Sequence, residues 1–223
     1  MKKYYQLLLG LSAIFVGLLG ISSRVRAVTH YVQSATPTIF VHGWGSSSHA
    51  EEKMANAARD AGVTKTIVRA NVDKKGNRPI PANAVNPIVE VNLEDNKLSA
   101  YRDNYTQGYH HGGEYVKNVV LALEKQHHYK QINLVGHSMG NLEIINYIND
   151  NVNDKSFPQV AHLVAIAGHY NGLVGQSETQ NAKINPKTGE LEKMDSAYRE
   201  LLGLRQTFPK NTAVLNIYGD VGD

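Results

Sequence analysis

Gln131-Ile132-Asn133-Leu134-Val135-Gly136-His137-Ser138-Met139-Gly140-Asn141-Leu142 is the stretch that decides the fold. A compact apolar run, Gln131 to Val135, enters Gly-His-Ser-Met-Gly with no spacer, and Leu142, Ile145 and Ile148 then mark one stripe of a helix. A residue at the centre of so tight a strand-to-helix turn is pushed toward strained backbone angles, and side chains two positions either side of it would collide. Glycine at 136 and 140 removes those collisions. The turn lifts the Ser138 hydroxyl clear of the sheet and aims the positive end of the next helix at the carbonyl it would attack. Ser138 is therefore the candidate nucleophile, and the backbone N–H of Met139 a candidate oxyanion donor.

Working outward, Thr36 to Val41 reads as a buried strand that runs into His42-Gly43-Trp44-Gly45. A glycine-containing loop after an early strand is where a second oxyanion donor is placed in such folds, and Trp44 is the candidate. Ser46 to Ser48 offer caps to a helix expected from about His49 to Asp60. Thr64 to Val72 and Pro87 to Leu93 read as strands, and the turn residues Lys74 to Asn77 suggest that they form a hairpin. Helices are expected over about 112–126 and 195–206, with strands at Val160–Ala167 and Thr212–Tyr218. Residues 170–194 read as a long loop. Alternating strands and helices predict a mostly parallel sheet with helices on both faces.

A serine needs a base, and the base needs an acid to orient it. After Ser138 only His162 and His169 remain. His162 lies within a strand and reads as a packed residue. His169, at that strand's C-terminal end, and His137, inside the motif, are candidates for substrate contact. The pairs His110-His111 and His127-His128 read as solvated residues at a helix start and a helix end. No carboxylates at ligand spacing accompany them, so neither a metal nor a cofactor is expected. Asp220 and Asp223 follow the last strand and are candidates for the acid.

Lys2 and Lys3 precede an apolar run of 15 residues, Leu7 to Ile21, and Val25 and Ala27 place small side chains at a cleavage site. That is the layout of a signal peptide over residues 1–27, with an uncleaved anchor as the alternative. The run is short of the ~20 residues that span a bilayer. Without Lys2, Lys3, Arg24 and Arg26, basic residues fall from 23 to 19 against 20 acids, so the formal charge moves from +3 to −1. Nucleic acid is an unsuited partner for such a chain. The chain contains no cysteine, which excludes disulfides and a thiol nucleophile. The remaining residues, 28–223, suit one domain.

Ile39–Gly43, Asn133–Gly140, Ile166–Gly172 and Leu215–Asp220 together resemble the DUF915 family of α/β hydrolases, cell-surface hydrolases of Gram-positive bacteria. The resemblance implies an α/β-hydrolase fold with Ser138 as nucleophile. Asn141 stands where the family usually has glycine, and His169 where it usually has proline. Members continue into an Asp-Gly segment and a later histidine, so the domain is expected to be incomplete at its C-terminus, short of a strand and helix. The expected function is an exported hydrolase of small or lipid-like carboxylic esters, working through an acyl-serine. It would touch membrane only through an uncleaved N-terminal segment. The alternative is an inactive fragment or a non-catalytic surface-binding protein.

Overall fold

Six strands form the sheet in a computed structural model of the chain, which describes residues 31–72, 84–173 and 178–219. They are β1 (Thr38–Val41), β2 (Ile67–Val72), β3 (Ile88–Leu93), β4 (Gln131–His137), β5 (Gln159–Ile166) and β6 (Ala213–Ile217). Their order is β2-β3-β1-β4-β5-β6, and every pair is parallel. Parallel strands cannot be joined by a tight turn, so helices cross the faces between them. These are α1 (Glu52–Asp60), α2 (Tyr105–Glu124), α3 (Met139–Asn151) and the short α4 (Ser196–Arg199) and α5 (Leu204–Thr207). One face of the sheet, with Ile39, Val41, Val89, Ile132 and Leu134, packs into the larger core with Val116, Val120, Leu142 and Ile144 of α2 and α3. On the other face Phe40, Ile88 and Val135 cluster with Ala55 of α1. The sheet's C-terminal edge is β6, exposed along its whole length.

The expected hairpin is not there. β2 and β3 run parallel, in register from Ile67–Ile88 to Val72–Leu93. The cause is Glu90, whose polarity makes PIVEVNL look half-solvated. Its side chain is in fact buried, and Arg69 reaches it across the ladder at 3.3 Å. A strand covered on both faces is what a parallel crossover produces. The turn residues 74–77 lie outside the described residues.

Helix α2 begins well before residue 112, with Asn104 accepting from the Gln107 N–H at 3.1 Å as its cap. His110 and His111 thus lie inside the helix. His110 is only half-buried, with Nδ1 2.7 Å from Asp150 and Nε2 3.1 Å from Glu200. Burial alone would lower its pKa, but hydrogen bonds to two carboxylates raise it. His162 is also corrected: it is exposed on β5, with Nδ1 2.8 Å from Asn133 Oδ1. The helix expected over 195–206 is divided into α4, a 3-10 turn (Glu200–Gly203) and α5. Among the described residues no helix is long and apolar enough to cross a membrane.

Glu143 of α3 faces α2, is fully buried and has neither carboxyl oxygen hydrogen-bonded. Burial, with the Asp95 charge adding to it, pushes its pKa up to about 8. A raised carboxyl holds its proton more tightly when folded. Its contribution is complete below the unfolded value near 4.5 and is lost as pH rises through about 8. Glu143→Met keeps the volume and removes the unpaired acid. We expect it to raise the thermal midpoint, by on the order of 2 kcal/mol of stability at pH ~9 and by less at pH ~5. Thermal unfolding at the two pH values measures the difference.

Candidate active site

Strand β4 delivers Ser138 to the end of the sheet at which its parallel strands finish, with φ 50° and ψ −120°, and α3 starts at the next residue. Positive φ is costly for a residue with a Cβ, and it is the backbone such a tight turn imposes. Three contacts hold it. The Ser138 N–H donates to Ile166 O at 2.9 Å, tying the turn to β5. The side chain of Asn141, fully buried, donates to Ser138 O at 3.1 Å and to the same Ile166 O at 2.9 Å. Gly140 presses on the end of β1, where an added Cβ would overlap Val41 O and lie 2.7 Å from His42 O. Asn141 therefore reinforces the turn.

The loop after β1 closes over the same spot. A Cβ on Gly43 would sit 3.0 Å from Ser138 Cβ and 3.6 Å from His137 Nδ1. His42 anchors the loop from beneath. Its Nε2 accepts the Leu93 N–H at 3.0 Å, so the proton is on Nδ1 and goes to Gly43 O at 2.9 Å. Burial lowers its pKa against the effect of the Gly43 bond, and the ring stays neutral. Beyond it, Gly45 takes φ 65° and donates to Asn96 O at 2.8 Å, while Ser46 N–H donates to Gly43 O at 3.2 Å. Asn96 returns a side-chain bond to Ser46 O. The Trp44 N–H has no partner among the described residues. Its side chain is 60% exposed, with Lys97 Nζ 5.3 Å from the ring centre. Met139, first in α3, has no carbonyl one turn earlier in the helix for its own N–H.

His137 is half-exposed on the α1 face of β4, 3.6 Å from the carboxylate of Glu51, which is buried. Burial, with Glu90 adding to it and the Glu51 backbone N–H opposing, raises the Glu51 pKa to about 7. His169 follows β5, and its Nδ1 lies 3.0 Å from the hydroxyl of buried Tyr198. Burial lowers its pKa. Tyr198 also lines a mainly apolar cavity of about 460 Å³ with Leu163, Tyr170, Leu201 and Phe208. Ser138 is not part of that lining. Asp220 and Asp223 lie outside the described residues. Sequence reasoning missed Glu51, the bonding of Asn141 and the 94–97 turn. Each owes its place to a partner distant along the chain, which no local pattern signals.

Asn141→Ala tests the reinforcement. Both carbonyls keep a backbone donor, since Ser138 O also receives the Asn141 N–H and Ile166 O the Ser138 N–H. Asn141 Oδ1 is itself buried without a partner. The net loss expected in urea unfolding is therefore about 1 kcal/mol, at the lower end for a buried side-chain pair of bonds.

A family model described as "Alpha/beta hydrolase of unknown function (DUF915)" matches residues 26–223. Two solved structures share the fold. One is a gene product of Listeria innocua, 18% identical, with TM-score 0.63 over 83% of this chain and 85% of that one. The other is a candidate cell surface hydrolase from Lactobacillus plantarum, 18% identical, with TM-score 0.64 over 82% of this chain and 68% of that one. No curated protein matches the sequence. With the parallel sheet, the strained serine turn and a family match over nearly the whole length, this chain belongs to the DUF915 family of α/β hydrolases.

Proposed function

We propose that the chain is an exported serine hydrolase that cleaves small or lipid-like carboxylic esters through an acyl-serine on Ser138. The observation that carries this is the strained turn: Ser138 at positive φ, at the head of a 13-residue helix, with the Gly43 loop in contact. Backbone angles of this kind cost of order 1–3 kcal/mol and persist where they serve a site. In the reaction Ser138 Oγ would add to the ester carbonyl as its proton passes to a base. The N–H groups of Met139 and Trp44 would hold the developing oxyanion. Collapse of that intermediate breaks the C–O bond, and the alcohol leaves with the proton. Water then repeats the sequence on the acyl-serine and regenerates the hydroxyl. Asp220 and Asp223 remain candidates for the orienting acid, with His169 and His137 for substrate contact. Export rests on residues 1–27 and agrees with the cell-surface description given to the Lactobacillus structure.

A second reading, a surface-binding protein without turnover, is favoured by one observation. Among the described residues no histidine hydrogen-bonds the Ser138 hydroxyl. Fluorophosphonate labelling separates the two. The hydrolase reading expects a covalent adduct on Ser138 by peptide mass spectrometry. It also expects Ser138→Ala to lower p-nitrophenyl acetate turnover by at least about 10³-fold. An unlabelled Ser138, with the variant equal to wild type on the ester, would leave the binding reading standing.

A further inference from the structure

Glu51 has no part in the chemistry described so far, yet its placement is expensive. It closes the 3-10 turn Ser48–Ala50 and precedes α1, with exposed neighbours His49 and Ala50 before it and Lys53 just beyond. Its own side chain is turned inward and is only 2% exposed. A buried carboxyl without a cation is costly, so one that persists calls for a partner. Among the described residues, the charged or titratable groups facing it are few. Glu90 on β3 adds a like charge, and Arg69 on β2 is already engaged with Glu90 and Glu52. The remaining group is His137 on β4, with Nδ1 at 3.6 Å. That ring does not stand apart from the site. His137 Nδ1 and Ser138 Cβ both lie within 3.6 Å of the point where a Cβ on Gly43 would stand. Serine, imidazole and loop glycine therefore meet at one place, and Glu51 is behind the imidazole.

We propose that Glu51 is a positioning residue of the Ser138 site: its buried carboxyl seats the His137 ring against Gly43, and so sets the gap between Ser138 and the loop that carries Trp44. This rests on the hydrolase reading. Glu51 touches no reacting atom and acts through His137. As pH rises through about 7 the carboxyl ionises and becomes a stronger acceptor for an imidazole N–H, which draws the ring onto the loop. Reactivity at Ser138 follows that step.

The test uses the full chain as wild type, Glu51→Gln, His137→Gln, the double variant and Ser138→Ala. Fluorophosphonate labelling rates are followed from about pH 5.5 to 8.5, with kcat and KM for p-nitrophenyl acetate. Wild type is expected to show a rise in labelling rate near neutral pH, and Glu51→Gln, which cannot ionise, a smaller or displaced rise. At pH ~8 each single variant should lose about tenfold or more in kcat, and Glu51→Gln should do so with KM within about twofold, the signature of misplacement and not of lost substrate binding. The double variant should be no slower than the worse single, because the two residues act in series. A labelled wild type with an unchanged Glu51→Gln profile overturns the role of Glu51 alone, as do single losses that multiply in the double variant. A wild type that takes no label at Ser138 overturns the hydrolase reading and this role with it.

Discussion

The left-handed backbone of Ser138 is the constraint on which the rest of this end of the molecule depends. A Cβ-bearing residue at φ 50° does not stay there unaided. It is held from β5 through the Ile166 carbonyl, from its own helix through Asn141, and from β1 through the close fit of Gly140 on Val41 and His42. Each hold requires an adjacent strand in register, and β4 lies between β1 and β5. The order of the central strands and the shape of the serine turn are thus one requirement stated twice. The loop that carries Trp44 inherits it, since Gly43 can approach only where the turn has been fixed.

Much of this was legible in the sequence because it is local steric chemistry. Glycine, serine and glycine between an apolar strand and an amphipathic helix leave few backbone choices, and residues 131–142 announce both the turn and the parallel sheet around it. Misreadings arose wherever polarity and exposure part company. Glu90 is polar and buried, which disguised a crossover strand as one arm of a hairpin. His162 occupies a strand position and is exposed. The first turns of α2 were missed because Tyr105 to Gly113 contain three glycines and two histidines, all poor helix formers; packing supplies what propensity lacks there. Asn141 and Glu51 carry no local signal, since their meaning lies in Ile166 and His137.

Buried acids with at least one poorly partnered oxygen recur among the described residues. Glu51 and Glu143 are both pushed toward neutrality by burial, and Glu90 keeps one oxygen unpartnered while Arg69 holds the other. Their surroundings differ in kind. Glu143 lies between two helices, where only Asp95 adds to the effect of burial. Glu51 adjoins an imidazole at the edge of the site. The same chemical oddity therefore reads as a packing cost in one place and as a means of holding a ring in the other.

The all-parallel ladder has a consequence for how such a site comes into being. With no hairpin among the described strands, every pairing joins segments separated by a crossover, so contacts form late and non-locally as the chain collapses. Apart from Asn141, three residues on, the groups around Ser138 come from residues 42–45, 51, 96 and 166, and none of these clusters with it early by chain proximity alone. A partly assembled sheet would hold the serine in an ordinary, unstrained backbone with no loop over it. With Ser138 as the nucleophile proposed above, nascent or misfolded chains would then be chemically silent, and labelling at Ser138 would report completion of the central sheet.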